Sequence, residues 1–335
     1  MALSVTPLRP TDERPVLALS GGVGGAKLAL GLARVLPPGS LTVVANTGDD
    51  FEHLGLHVAP DLDTVTYALA GIDNPQTGWG RRDETWSFMA ALAELGGETW
   101  FRLGDRDLAM HVERTRRLKT GETLSGITAD LTRRLGIASR ILPMTDDAVR
   151  TRVQTREGVL DFQRYFVGLK CAPAVTGFMF DGAARAVPQP DVVAALRDPG
   201  LRAVIICPSN PFISIDPILA LPGLLAALAA TAAPVIAVSP IIAGRAVKGP
   251  TAKMMGELGL AVDPIAVAAH YRGIIDGYVM DDADSHMAAM LDLPVETTRT
   301  LMQSLDDREA LARAVLDFAD RIAARAAKRM GGGRS

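Results

Sequence analysis

Six residues, Ser20-Gly21-Gly22-Val23-Gly24-Gly25, stand between a short apolar run and a stretch with helical spacing. Glycines so placed let backbone N–H groups approach a phosphate, and the following helix adds its positive end. Two standard templates fail on this loop. Counted from Gly21, G-x-x-x-x-G-K-[ST] meets Ala26 where its second glycine belongs and Leu28 where a magnesium-binding hydroxyl is required. The dinucleotide pattern G-x-G-x-x-G fits Gly22 and Gly24 and then meets Lys27. What remains is a general phosphate cradle of Gly22, Val23, Gly24 and Gly25; the alternative is a glycine turn needed only for close helix–strand packing.

Four acids lie just downstream, Asp49 and Asp50 after one apolar run and Asp61 and Asp63 in the next segment. Hard cations such as Mg²⁺ take carboxylate oxygens and share substrate phosphates, so acids beside a phosphate cradle fit a bridging metal. A blander role is open to them too, Asp63 as a helix cap and Asp49 as a turn residue. Ser209 and Asn210 form a polar turn, either a ligand contact or a helix start with Pro211 in its first position. Arg102-Leu103-Gly104-Asp105 by itself reads as a surface salt-bridge turn, and Arg114, Arg116, Arg117, Arg133 and Arg134 read as a solvated helix face. The five histidines show no H-x-x-x-H or H-E-x-x-H spacing, and no G-x-S-x-G elbow is present. Trp79, Trp86 and Trp100 crowd one region, as core or as a flat wall for a ring system.

These residues need a scaffold, and the pattern supplies one. PVLAL, LTVVAN, LRAVIICPSNP and PVIAVSPII are apolar runs with polar residues collected past their carboxyl ends, separated by helical segments. That describes an α/β fold, a Rossmann-like, doubly wound and mostly parallel sheet whose ligands sit outside the strand ends. Residues 80–135 carry helical periodicity and read as an insertion within a single domain spanning 16–320. SRILPMTD, TRVQT and GVLDFQRYFVG read as further strands, and PILALPGLLAALAAT as one helix. Residues 1–15 and 328–335 read as loose ends. With 48% hydrophobic and 22% charged residues the chain is globular, and a net charge of −3 gives no sign of nucleic-acid coating. The greasy stretch from Ile215 to Ala243 is punctuated by prolines, so no membrane span is expected. Two cysteines without C-x-x-C spacing exclude a disulfide framework and make a reducing cytoplasm the expected compartment.

Read together, SGGVGGAKL, NTGDD, PDLDTVTYALAG, GWGRRDETW, RLGDRDLAMH, ILPMTDD, PSNPFISIDPIL and SPIIAGRAVKGP occur in an order that resembles the 2-phospho-L-lactate transferase family of deazaflavin coenzyme (F420) biosynthesis. The resemblance implies transfer of a phospholactyl or phosphoenolpyruvyl group from a guanosine diphosphate conjugate to the deazaflavin Fo, with GMP released, Mg²⁺ as cofactor and a homodimer. It implies Asp50 and Asp63 as metal-holding and catalytic carboxylates, and Asp63 and Arg102 as contacts to Fo. Gly22–Gly25, Ser209 and Asn210 would hold the guanosine conjugate. The rival readings are a nicotinamide-dependent oxidoreductase, which lacks its third glycine, and a non-catalytic guanine-nucleotide-binding protein.

Overall fold

A computed structural model of the chain describes residues 12–331. Its centre is a seven-stranded sheet of β1 (Val16–Ser20), β2 (Leu41–Ala45), β3 (Arg140–Pro143), β4 (Ala203–Ile206), β5 (Val235–Val238), β6 (Gly277–Asp281) and β7 (Val295–Thr298). The spatial order is 3-2-1-4-5-6-7 and every neighbouring pair is parallel. Apolar runs with β-branched residues suit strands buried on both faces, which is why these read as continuous greasy segments. Successive side chains alternate between faces: Leu17 and Leu19 join one core, Val16 and Ala18 the other. The second core is closed by α1 (Gly22–Val35), α2 (Pro60–Leu69) and the long helix Leu305–Gly331. The first is closed by helices Pro190–Arg197 and Leu224–Ala230 and by residues of a small antiparallel sheet.

Three helices, α3 (Ser87–Glu94), α4 (Asp105–Lys119) and α5 (Leu124–Arg134), lie in sequence between β2 and β3. Two sequence readings are corrected. The expected single helix over PILALPGLLAALAAT is broken after Leu219: the helical segment Pro211–Leu219 and the helix Leu224–Ala230 meet at 85°, with Gly223 in a left-handed conformation at φ +79° between them. Of the three segments SRILPMTD, TRVQT and GVLDFQRYFVG, only the first gives a strand of the main sheet, β3; the other two form a hairpin outside it. Arg150–Thr155 pairs antiparallel with Gly158–Asp161 and with Val175–Asp181, whose own partly exposed pattern hid it from the sequence reading. Of the ends expected to be loose, residues 1–11 and 332–335 lie outside the described residues, while Leu305–Gly331 is helical throughout. Cys171 and Cys207 are unpaired. Among the described residues no single helix is long and apolar enough to cross a membrane.

The two sheet-covering helices meet at Gly31, where a Cβ would stand 2.1 Å from the carbonyl oxygen of Arg308. Alanine normally stabilises a helix by about 1 kcal/mol over glycine. Here that gain is overridden, and Gly31→Ala is expected to lose about 1–3 kcal/mol by overpacking. Urea denaturation reads the sign directly.

Candidate functional site

In this strand order the chain reverses direction of travel between β1 and β4, and open parallel sheets bind ligands at that switch point. A cleft of about 610 Å³ opens there. Parallel pairing sets the end of β1 beside the end of β4, so the glycine loop and the turn Pro208–Asn210 form its floor. Ser209 Oγ donates to Gly21 O (2.8 Å) and accepts from Gly21 N (3.1 Å), clamping the two loops. The glycines are set by these neighbours. A Cβ on Gly24 would come within 2.3 Å of Pro208 O, one on Gly25 within 2.4 Å of Ser20 Oγ, and Gly22 has φ +63°. Packing therefore explains the missing side chains. It also leaves the N–H groups of Val23 and Gly24 in the first turn of α1, where no helical carbonyl precedes them. Asn210 caps the turn Pro211–Ile215, accepting from Phe212 N and Ile213 N, and lines the cleft as Ser209 does.

The carboxylates divide between front and back. Asp49 and Asp61 line the cleft, each 6% exposed. Asp61 accepts from Gly22 N (2.7 Å) and from Asn46 Nδ2 (2.9 Å), and burial raises its carboxyl to about 6. Asp49 is pushed well above the ordinary carboxylate range by burial and by the charge of Asp61. Its Oδ1 has no hydrogen-bond partner, and the same holds for the buried Ser20 Oγ, Thr47 Oγ1 and Asp50 Oδ1. Such orphaned oxygens are the donor set a hard cation takes.

Asp50 and Asp63, the carboxylates expected to hold metal and, for Asp63, to touch Fo, do not line the cleft. Asp50 Oδ2 meets His57 Nε2 at 3.0 Å behind the floor. Asp63 forms a two-pronged ion pair with Arg114, which is 3% exposed. Residues two apart on a helix point about 200° apart. With Asp61 facing the cleft, Asp63 must face α4. Arg114 thus leaves the solvated face expected for it. His111 is wedged between Asp63 (Nδ1, 3.6 Å) and Asp107 (Nε2, 3.4 Å), and Tyr67 donates to Asp107 at 2.5 Å, so a buried polar seam locks α2 to α4.

Arg102 reaches the cleft wall because its neighbours are fixed. Leu103 is fully buried, and Gly104 leaves room for Glu84, which accepts from Arg106 N and Asp107 N. Asp105 accepts from Thr85 Oγ1, Ser87 N and Phe88 N, so it is not the partner of Arg102. The guanidinium of Arg102 instead lies 4.0 Å over the Trp86 ring. Trp100 and Phe101 continue this wall, and Phe162 and Phe166, stacked at 5.4 Å, also line the cleft. The three tryptophans are thereby placed: Trp79 and Trp100 line the cleft, and Trp86 supports Arg102.

The profile of the family described as 2-phospho-L-lactate transferase CofD matches residues 16–316. The chain belongs to that family. Similar relatives include a phosphoenolpyruvate transferase of Kitasatospora aureofaciens, 41% identical over 92% of this chain and 98% of its own. A 2-phospho-L-lactate transferase of Methanosarcina mazei is 36% identical over 90% of this chain and 99% of its own. A crystal structure of a UPF0052-family protein from Bacillus halodurans shares the fold, with TM-score 0.62 and 15% identity over 91% of this chain and 99% of that one. The chain is a transferase enzyme.

For this 2-phospho-L-lactate transferase family member, sequence reading missed Lys27, Lys170, Lys248, Phe162 and Phe166 as cleft residues. A lysine in the third-glycine slot was the one available signal for Lys27. The raised carboxyls also carry a stability consequence. Unfolded aspartates titrate near 4, so between about pH 4 and 6 the folded chain keeps a proton on Asp61 that the unfolded chain has lost. Such groups lower stability as pH rises through that window, and the loss is full above it. Asp49→Asn removes a buried charge from this pair. Burial and the charge of Asp61 push the Asp49 carboxyl upward, so the substitution is expected to stabilise the protein more at about pH 8 than at about pH 5. Urea midpoints at the two pH values check this, and a pH-independent difference would return Asp49 to the ordinary carboxylate range.

Proposed function

We propose that the protein transfers a phosphoenolpyruvyl group from its guanosine diphosphate conjugate to the terminal ribityl hydroxyl of Fo in F420 biosynthesis. The observation that carries this reading is one cleft with two unlike halves. A phosphate floor with two carboxylates lies at the switch point, and an aromatic wall bearing a free guanidinium faces it. A nicotinamide oxidoreductase needs neither the acidic pair nor such a wall. The hydroxyl oxygen attacks the phosphorus that carries the enolpyruvyl group and gives up its proton to solvent water. The bond from that phosphorus to the oxygen of GMP breaks, and GMP leaves with the bonding pair. In such displacements the protein positions the reactants and neutralises charge.

The floor residues Val23 and Gly24 would offer N–H groups to the diphosphate, with Ser209 and Asn210 bordering them. Asp49 and Asp61 would hold Mg²⁺, which supplies neutralisation of charge on the phosphate oxygens when bound. Asp50 and Asp63 would act from behind, fixing the hairpin Phe51–His53/Leu56–Val58 and α4. Arg102, held flat on Trp86, would donate to the Fo ring or its hydroxyls, with Trp100, Phe101 and Phe166 beside the ring. The bacterial relatives named phosphoenolpyruvate transferase, at 41% and 37% identity, favour the enolpyruvyl donor. The archaeal relatives named 2-phospho-L-lactate transferase, at 36%, keep the phospholactyl donor as a second reading.

Mass spectrometry of reactions with Fo, Mg²⁺ and each guanosine diphosphate conjugate is expected to show GMP and the enolpyruvyl precursor in equal amounts from the enolpyruvyl conjugate, with less GMP released from the phospholactyl one. Absence of GMP with both donors overturns the proposal. Arg102→Ala is expected to raise the apparent KM for Fo by about tenfold to a hundredfold, the worth of a hydrogen bond to a charged group. GDP affinity should stay within about threefold of wild type. Unaltered Fo titration in this variant would remove Arg102 from the acceptor site.

A further inference from the structure

The cleft is lined by four cationic side chains, Lys27, Arg102, Lys170 and Lys248, against two acids, in a chain whose net charge is −3. Two of these cations, Lys27 and Lys248, lie within electrostatic reach of each other beside α1. Lys27 belongs to α1 itself, and helical side chains lean back toward the N-terminus. Its ammonium donates to a backbone carbonyl, Met302 O, at 2.8 Å. Lys248 comes from the loop after β5. Its ammonium donates to Thr77 O (2.8 Å), and it packs against Gly78, on which a Cβ would stand 2.5 Å from Lys248 Nζ and 3.0 Å from the Val23 side chain. Neither ammonium makes an ion pair with a carboxylate among the described residues. Burial, followed by repulsion from Arg308 and Lys248, pulls the Lys27 ammonium below its ordinary value. Arg308 Nε, close by, is itself buried without a partner. Asp73 offsets the repulsion on Lys27 in part, but cations outnumber acids along the cleft.

We propose that Lys27 and Lys248 form a clamp for the second phosphate of a nucleoside diphosphate, so that the floor holds a diphosphate strongly and a monophosphate weakly. The free N–H groups of Val23 and Gly24 suffice for one phosphate; a second one brings the charge that the two ammonium groups lack. This rests on the donor assigned above and deepens it. When the transferred phosphorus leaves with the acceptor, the nucleotide that remains carries one phosphate and loses the clamp. The same contact that holds the donor thus favours departure of the product.

Calorimetric titration of GDP and GMP, each with Mg²⁺, into wild type, Lys27→Met and Lys248→Met tests this. Wild type should prefer GDP by about tenfold or more, and each variant should lose about tenfold to a hundredfold in GDP affinity. GMP affinity should move by less than about threefold, and Lys27→Arg should restore part of the preference. Lys248 lies in an exposed loop, so its variant carries the test should Lys27→Met fold poorly. A GDP/GMP ratio unchanged in both methionine variants overturns the clamp alone. Failure of wild type to bind GDP at all overturns the donor assignment with it.

Discussion

One buried carboxylate holds the end of the sheet together. Asp61 sits at the start of α2, yet its two oxygens bind the first amide of α1 and the side chain of Asn46 at the end of β2. Three segments far apart in sequence are fixed by one group whose own charge is disfavoured by its surroundings. Hydrogen bonds to an ionised acceptor are the strong kind, and in a dry setting their loss leaves several groups unsatisfied together. Asn46 completes the knot by accepting from Gly48 N and donating to Ile213 O. The loop carrying Asp49 and the turn beyond β4 are thereby held to the same centre.

The glycine loop gains its shape from these contacts rather than from any ligand. Pro208, Ser20, Ser209 and Ser214 occupy the space that side chains at positions 21, 24 and 25 would need. A loop pressed into place from behind loses little freedom when it is filled, which is the benefit of preorganisation. Opposite it, the wall is set by a separate network in which the Glu84 carboxylate accepts from Arg106 N and Asp107 N at the start of α4, and the Asp105 carboxylate accepts from Ser87 N and Phe88 N at the start of α3. The seam of Asp63, Arg114, His111 and Asp107 joins the two systems.

Much of this was legible in the sequence. The strands, their polar ends and the glycine loop follow from apolar runs and turn residues, and a doubly wound sheet then fixes where a cleft must open. The sequence also showed four acids near that cleft. It did not show which of each pair faces inward, because that depends on helix phase at Asp61 and Asp63 and on the path of the chain at Asp49 and Asp50. Arg114 was hidden for a related reason. A charged helix face looks alike whether it meets water or a buried aspartate. Lys27 and Lys248 lie some 220 residues apart in sequence and reach one cleft only because β5 returns beside β4.

The floor and the wall have different origins in the chain. The floor is made of the turns that end sheet strands, and those turns cannot shift without disturbing both cores. The wall is made of residues 86–102 and 162–170, both carried on segments inserted between strands of the sheet. A substitution in an inserted segment can reshape the wall and leave the seven strands as they are, whereas one in the floor disturbs the strand ends themselves.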